Sequence, residues 1–323
     1  MKTNLMRVAL LAFATLFAST APAQQYPNKP IRLIVPNAPG GAPDLTARVL
    51  GQKLSERLGQ PIVVENRPGS NGNIGGDLVA KAPANGYTLL LGADSLVAIN
   101  PHVFAKMPFD PLKELTPVST LVANTFFLTV NPSVAAATVP EFVELAKRTN
   151  PPLPYGSSGN GSQHHLGMEI FKQRAGINLV HVPFRSDAPA VTATIAGEVM
   201  AVLSGGSNAP QIKAGKVRAL AITGAQRAKA FPELPTVAEF YPGYELKIWL
   251  GLLGPVGIPE PILAKLRWEV SQVLVDPEFI GRMTATGALT EAFVTKPDEF
   301  AALVRRDYDR YGKVVRELGV KVD

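Results

Sequence analysis

Hydrophobic positions along this chain form short apolar runs that alternate with helical stripes. The first run, Ile31–Val35, stops at Pro36 and has the length of a buried strand. Residues 45–58 then place leucines and valines on one helical face, up to the stop signal at Gly59. A second apolar run follows at residues 62–64. A strand, a helix and a strand in this order predict parallel strands joined by a right-handed crossover.

Strand and helix patterns keep alternating through the middle of the chain. Apolar runs typical of buried strands occur at residues 87–91, 126–130, 179–184, 199–203 and 217–222. Helical stripes lie at residues 140–148 and 163–174, and helices dominate after residues 249–253. The pattern predicts an α/β fold with open sheets. Because the chain builds one α/β unit, then another, and returns with helices, we expect two lobes and two crossings, near Phe126 and near Trp249.

The first 23 residues have the pattern of a secretory signal peptide. A basic start and a short apolar stretch lead to Ala21-Pro22-Ala23, which is a cleavage pattern. The apolar stretch of roughly 11 residues is too short to span a bilayer, which takes ~20. We therefore expect residues 1–23 to be removed and the rest of the chain to be exported as a soluble protein.

Composition and charge argue against several classes of protein. The net charge is +6, but Lys and Arg are scattered and form no block that would bind nucleic acid or a membrane surface. The chain has no cysteine and four histidines, which gives little support for a transition-metal site. His164 and His165 are adjacent, so on a helix they point about 100° apart and do not form the i,i+4 pair of a helical metal site. We expect no metal and no cofactor.

Two Gly-rich turns, at residues 39–44 and 156–162, each lie between a strand pattern and a helix pattern. Such turns expose backbone N–H groups at a helix N-terminus, where an anion is favoured. Gly40 and Gly41 could instead serve only a tight turn, and Asp44 could simply complement the helix dipole. The second turn holds side chains that are common in turns and caps but that also orient ligands, namely Ser157, Ser158, Asn160 and Ser162.

An exported hydrolase is the rival class, but its motifs are missing from the sequence. Neither residues 156–160 nor residues 92–96 form the G-x-S-x-G nucleophile elbow. Residues 159–164 begin like a dinucleotide fingerprint but lack the last glycine, and the Gly-Lys pairs at residues 215 and 312 are not phosphate loops. We expect a binding protein and not an enzyme.

Five sequence blocks occur in an order that resembles a known family. They contain Pro39-Gly40-Gly41 with Asp44, Asn66-Arg67-Pro68-Gly69 to Gly76, Tyr155-Gly156-Ser157 to His165-Leu166, His181-Val182-Pro183-Phe184-Arg185, and Ile212-Lys213-Ala214-Gly215 to Ala221. Together they resemble the Bug family of extracytoplasmic solute-binding proteins of the tripartite tricarboxylate transporter type. The resemblance runs from about Ile31 to the C-terminus.

The resemblance implies a periplasmic α/β protein of the Venus-flytrap type, with two crossing strands and a ligand held between two lobes. Residues 24–126 and 248–323 would form the first lobe and residues 127–247 the second. In the family, one carboxylate is held by the turn after the first strand and a second ligand group by loops of the other lobe. Carried onto this chain, the implied ligand-binding residues are Asn37, Ala38, Pro39, Gly40, Gly41, Asp44, Ser95, Ser157, Ser158, Asn160, Ser162, His165, Phe184 and Ser204.

Two departures from the family pattern bear on the ligand. Asn37 stands where an aromatic or small residue is common, and its amide would add a polar group to the site. Ser204 and its neighbours stand where many relatives carry an acidic residue that meets an amino or hydroxyl group. This difference favours a plain carboxylate over an amino acid.

The sequence leaves the ligand and the downstream partner open. Dicarboxylates, tricarboxylates, aromatic carboxylates and even neutral amides all suit the predicted site. The closed protein, expected to be a monomer, would deliver its ligand to the membrane subunits of a tripartite tricarboxylate transporter. Alternatively, it would present the closed form to a sensor kinase, because both partners need only a surface that exists in the closed state.

Overall fold

The computed structural model describes residues 26–228, 230–286, 290–292 and 295–321. The predicted signal peptide, residues 1–23, lies outside the described residues. In the described ranges the strands are β1 (Ile31–Val35), β2 (Ile62–Asn66), β3 (Thr88–Ala93), β4 (Leu115–Asn124), β5 (Phe126–Val130), β6 (Pro154–Ser157), β7 (Val180–Pro183), β8 (Ala201–Gly205), β9 (Arg218–Ile222), β10 (Ile248–Pro255) and β11 (Thr290–Ala292).

Helices connect most of these strands. Those in the described ranges are α1 (Ala42–Leu58), α2 (Asn73–Ala80), α3 (Asn100–Val103), α4 (Pro111–Glu114), α5 (Val139–Arg148), α6 (Gln163–Ala175), α7 (Asp187–Ala196), α8 (Ala209–Lys213), α9 (Glu260–Leu274), α10 (Pro277–Thr286) and α11 (Pro297–Leu318). Most of the predicted boundaries differ from the observed ones by one to three residues. The expected alternation of strands and helices is therefore present.

The strands form two sheets with the same internal order. The first sheet runs β11-β4-β10-β3-β1-β2 and the second runs β7-β6-β8-β5-β9. In each sheet, parallel strands occupy one side, namely β2, β1 and β3 in the first and β7, β6 and β8 in the second. A single antiparallel strand follows them, β10 in the first sheet and β5 in the second.

The antiparallel strands lie where the chain passes from one sheet to the other. Thr125 alone separates β4 of the first sheet from β5 of the second, and residues 223–247 lead back from β9 to β10. The two crossing segments are bonded to each other, because the buried Thr223 hydroxyl accepts from the Phe126 backbone N–H and donates to the Leu246 carbonyl, both at 2.8 Å.

Apolar clusters cover both faces of the first sheet, and another apolar cluster packs against the second sheet. On one face of the first sheet, leucines and valines of α1 and α9 pack against the strands together with Phe279 and Met283 of α10. On the other face, α11 contributes Phe300, Leu303 and Val304. Leu166 of α6 belongs to this second cluster although α6 follows a strand of the other sheet. The two sheets therefore share apolar packing as well as two chain crossings.

One long strand was missed by the sequence patterns. β4 spans ten residues and is central to the first sheet, where β10 and β11 pair with it. Its sequence contains Pro117, Ser119 and Thr120, which interrupt the apolar run and argue against a central strand. The pairing of β4 with β10 has two register shifts, one just before Gly251 and one just after Leu252. These irregularities accommodate the interrupted sequence of β4.

Gly251 on β10 provides a test of how closely the first sheet and α11 pack. A Cβ at Gly251 would lie 2.5 Å from Cζ of Phe300. We expect Gly251→Ala to lower the free energy of unfolding by about 1–3 kcal/mol, because the buried ring must move. Denaturant unfolding followed by circular dichroism measures this change.

Gly281→Ala is the matched control for this prediction. Gly281 lies on α10, and a Cβ added there would meet no atom within 4 Å. An alanine inside a helix is more stable than a glycine by roughly 0.5–1 kcal/mol, so this variant should be neutral or stabilised. Equal stability of the two variants would contradict the close packing of Gly251 against Phe300.

Candidate functional site

A cavity lies at the carboxyl ends of the parallel strands of both sheets. The space that the centre of a water molecule can reach inside it is about 70 Å³. One water needs roughly 10–15 Å³ by this measure, so the cavity has room for several waters or a compact ligand. The lining residues are Pro36, Asn37, Ala38, Gly41, Ala42, Pro43, Asn71, Gly72, Ala93, Ser95, Leu96, Asn124, Phe126, Ser158, Gln163, His164, Ser186, Asp187, Gly205, Gly206, Ile248 and Leu250.

The first Gly-rich turn places the N-terminus of α1 on the cavity wall. Gly40 has φ +88°, which favours glycine, and Gly41 is the N-cap of this 17-residue helix. Gly41, Ala42 and Pro43 line the cavity. The first N–H groups of a helix have no intrahelical partner and carry partial positive charge. This part of the wall therefore suits an anion.

Asp44, a predicted ligand residue, is instead bonded within the turn. It is 2% exposed, and its carboxylate accepts from the Gly40 N–H at 3.0 Å, from Arg48 Nε at 3.0 Å and from Asn66 Nδ2 at 3.0 Å. Burial alone would raise the pKa of Asp44, but these three donors outweigh burial and lower it. Asp44 is not among the lining residues, because its oxygens are used to hold the turn.

The second Gly-rich turn divides its polar side chains between the cavity and the protein interior. Ser158 lines the cavity, and its Oγ lies 2.6 Å from Nδ1 of His164, which also lines it. Ser157 is fully buried and bonds His181 Nε2 at 2.6 Å. Ser162 is the N-cap of α6, where its Oγ accepts from the His165 N–H at 3.2 Å.

His164, and not His165, faces the cavity. The His165 ring stacks on His181 with centroids 3.9 Å apart and an angle of 6° between the rings. Burial, followed by the repulsion from His165, lowers the pKa of His181 to about 4. The adjacent His164 packs against Phe126, with centroids 4.5 Å apart. Successive positions of a helix point in different directions, so the sequence motif that selected His165 could not indicate which of the two rings lines the cavity.

The remaining predicted ligand residues are distributed as follows. Asn37, Ala38, Gly41 and Ser95 line the cavity together with Ser158. Pro39 and Phe184 line a wider groove of about 520 Å³ that shares Ala38 and Ser186 with the cavity. Gly40 shapes the turn, Asn160 is exposed, and Ser204 is fully buried beside Thr129. The structure thus brings five of the predicted residues together around one space.

Ser95 is held by a buried network that joins both sheets to α11. The Asp94 carboxylate accepts from the Ser95 N–H at 3.0 Å and from Tyr311 Oη at 3.3 Å. It also accepts from the side-chain amide of Gln163 at the start of α6. Burial raises the pKa of Asp94 to about 8, and the charge of Asp307 adds to this effect. Asp94 follows a strand of the first sheet and Gln163 follows one of the second, so this bond links segments of the two sheets.

Three lining residues that are not among the predicted ligand residues carry polar atoms without partners. Among the described residues, neither side-chain atom of Asn124 has a hydrogen-bond partner, and the same holds for His164 Nε2 and Asp187 Oδ1. Asn124 lies at the end of β4, which was not predicted. Asp187 begins α7, and Ser186-Asp187 ahead of an apolar helix is a start signal that the sequence did contain.

Comparison with known proteins identifies the family. Residues 46–320 match TctC, the tripartite tricarboxylate transporter family receptor. BugT of Bordetella pertussis is 33% identical over 327 residues, which is 99% of each chain. The chain therefore belongs to the TctC/Bug family, a family of substrate-binding receptors and not of enzymes.

Solved structures of similar proteins confirm the predicted fold class. The structure of R. palustris Rpa4515 with adipate is 32% identical, has a TM-score of 0.88, and covers 92% of this chain and 99% of that one. MatC from Rhodopseudomonas palustris with bound malate is 30% identical, with a TM-score of 0.83 and coverage of 90% and 100%. The fold is the α/β fold of two-lobed periplasmic binding proteins.

The described part of the chain holds neither a metal-ligating cluster nor a membrane-spanning helix. Within it, no group of three His, Asp or Glu residues is arranged to hold a metal ion. None of its helices combines the length and the apolarity that a membrane crossing requires. Of the described residues that line the cavity, none is Lys or Arg. A negative ligand would therefore be held there by N–H groups and neutral side chains.

Asp94 predicts a pH dependence of stability. Its folded pKa is raised to about 8, whereas an unfolded Asp has a pKa of ~3.9. Between these values the folded protein binds one more proton than the unfolded chain, so this group makes stability fall as pH rises from about 4 to about 8. Asp94→Asn should flatten the slope of unfolding free energy against pH in this window.

The control is Asp309→Asn, on an exposed position of α11. Urea unfolding at several pH values measures the slope for each variant. We expect the slope of Asp309→Asn to match that of the wild type. A slope that Asp94→Asn leaves unchanged would contradict a protonated Asp94 in the folded protein.

Proposed function

We propose that this protein captures a small carboxylate in the cavity between two lobes and carries it for uptake, without catalysing a reaction. The observation that carries the proposal is the N-terminus of α1, whose residues Gly41 and Ala42 line a cavity that both sheets contribute to. Backbone N–H groups at such a position favour a carboxylate without a Lys or Arg partner. Adipate and malate in the two related structures support the same class of ligand.

The proposed motion is closure of two lobes around the ligand. The lobes would be residues 24–126 with 248–323, and residues 127–247. Thr125 and the segment 223–247, where the chain passes between the sheets, are where bending would occur. The ligand would shift the population towards the closed form in proportion to its higher affinity for that form.

The proposed location is the periplasm. It rests on the signal-peptide pattern of residues 1–23 and on membership of a receptor family for a membrane transporter. The partners would be the membrane subunits of a tripartite tricarboxylate transporter. These subunits would recognise the surface that the closed lobes form together.

A thermal-shift screen of residues 24–323 tests the ligand class. The panel contains mono-, di- and tricarboxylates of increasing length, with neutral amides and sugars as controls. A carboxylate at ~100 times its dissociation constant should stabilise the protein by about 2.7 kcal/mol, which raises Tm measurably. The protein should first be refolded from denaturant and dialysed, so that no copurified ligand occupies the cavity. A response to neutral compounds alone would contradict carboxylate binding.

Gly41→Val tests whether the α1 N-terminus holds the ligand. A Cβ at Gly41 would meet only Pro43 Cδ at 3.7 Å, and the backbone there is extended, so a valine fits the fold. Its methyl groups would cover the N–H groups of the turn, and we expect at least a tenfold loss of affinity, about 1.4 kcal/mol. Isothermal titration with the best carboxylate of the screen measures it.

Gly281→Val is the control for Gly41→Val, since position 281 is open and outside the cavity. Loss of a favourable N-cap should cost Gly41→Val no more than about 1 kcal/mol of stability. Gly40 is less suitable for this test, because its φ of +88° would strain any other residue. Unchanged affinity in a folded Gly41→Val protein would remove the first turn from the site.

A further inference from the structure

Asp187 lines the cavity, and the protein binds one of its carboxylate oxygens but not the other. Oδ2 accepts from the Gly205 backbone N–H at 3.0 Å and from Asn208 Nδ2 at 2.6 Å. Oδ1 is buried and has no hydrogen-bond partner among the described residues. The side chain is 12% exposed and is fixed by its bonds to β8 and the turn after it. A buried carboxylate oxygen without a partner is costly, so the site calls for a donor.

His164 supplies the second polar atom beside this oxygen. Its Nε2 lies 3.7 Å from Asp187 Oδ1, which is too long for a direct hydrogen bond. Nε2 also has no partner within the described part of the chain, while Nδ1 is bonded to Ser158. The ring is orientated by Phe126 and Ser158. Both residues line the cavity, and other side chains of the protein fix their positions. A ligand group placed near both atoms would give each of them a hydrogen-bond partner.

The pKa shifts of this pair are those of two buried groups whose charged forms lack sufficient partners. Burial raises the pKa of Asp187, and the His164 ring, the Gly205 N–H and Asn208 act against this increase. Burial also lowers the pKa of His164, so the ring is favoured in its neutral form. A ligand group that donates to Oδ1 would favour the ionised carboxylate. A second carboxylate placed there would instead meet an acidic group with a like charge.

Resting on the proposed carboxylate function, we propose that Asp187 and His164 form a subsite for a hydrogen-bond donor on the ligand. The protein would then select carboxylates that carry a hydroxyl or an amino group over carboxylates of the same length that lack one. A hydroxyl can donate to Asp187 Oδ1 and accept from His164 Nε2 when that nitrogen carries its proton. An ammonium group can donate to both atoms when the proton is on Nδ1.

This subsite differs from the one that the sequence led us to consider. The absence of an acidic residue at Ser204 favoured a plain carboxylate without a donor group. The structure supplies an acidic residue from another place, the first turn of α7, and Ser204 itself points into the interior beside Thr129. Asp187 Oδ2 is bonded to Gly205, the neighbour of Ser204, so the end of β8 still positions the acid.

The test is a comparison of matched ligands by isothermal titration on residues 24–323. The pairs are succinate with malate, glutarate with 2-hydroxyglutarate, and tricarballylate with citrate, and aspartate and glutamate form the amino arm. In at least one length series, the donor-bearing acid should bind about tenfold or more tightly than its bare analogue, since a buried hydrogen bond to a charged group has this magnitude. The hydroxyl and amino arms identify which donor is bound.

Asp187→Asn reverses the polarity of the subsite without changing its shape. The Gly205 N–H and Asn208 Nδ2 both donate to Oδ2, so the amide oxygen of the variant must take that position. Its NH₂ group then occupies the place of Oδ1 and offers a donor to the cavity. The preference for the donor-bearing acid should fall to about threefold or less, while the bare analogue should bind as well as before or better. Asp309→Asn, on the exposed face of α11, should keep the wild-type preference.

The outcomes separate this inference from the proposed function. If bare acids bind the wild type as tightly as their donor-bearing analogues, the donor subsite is wrong and carboxylate binding stands. If Asp187→Asn folds with a wild-type Tm and keeps the preference, Asp187 is not the acceptor and the inference is overturned. If no acid in any series binds, both proposals fail. The comparison of analogues on the wild type decides the matter even when the variant does not fold.

Discussion

Two antiparallel strands, β5 and β10, determine the architecture of this protein. Each enters a sheet directly after the chain has crossed from the other one, and each lies beside the last of three parallel strands. The crossings hold the two sheets with their parallel carboxyl ends on a common cavity. Every loop at those ends, from both sheets, therefore contributes to one wall. Thr223 adds to this constraint, because its hydroxyl bonds the two crossing segments to each other.

The same arrangement explains why the cavity wall, although largely apolar, carries N–H groups and polar side chains but little formal charge. Helices that follow parallel strands begin at the carboxyl edge of the sheet, so α1, α6 and α7 all direct their N-termini towards it. The acidic side chains nearby mainly form hydrogen bonds within the protein. Asp44 holds the first turn, and Asp94 links Ser95, Gln163 and the C-terminal helix. Asp187 differs from both, because one of its oxygens has no partner in the described residues.

The sequence predicts the fold well because its strands and helices have distinct hydrophobic periods and clear stop signals. β4 was not predicted because polar residues and Pro117 interrupt its apolar pattern, and Asn124 at its end was therefore missed as well. Turn composition identified the loops of the site but could not assign the direction of each side chain. Ser158 lines the cavity while Ser157 and Ser162 bond within the protein, and His164 lines the cavity while His165 stacks on His181. Such directions depend on tertiary partners such as His181, which lies on a different strand.

The N-terminus of α1 presents backbone amides, which every residue except proline possesses. Mutation of a side chain therefore leaves this part of the wall chemically intact, provided that the glycine turn is kept. Asp187, His164 and Asn124 stand elsewhere on the wall as individual side chains, each replaceable by a single codon change. During evolution, attraction for an anion can thus be inherited unchanged while selectivity among anions drifts. On the proposed function, a change of ligand would therefore require substitutions at these few positions, while the backbone amides of the turn stay in place.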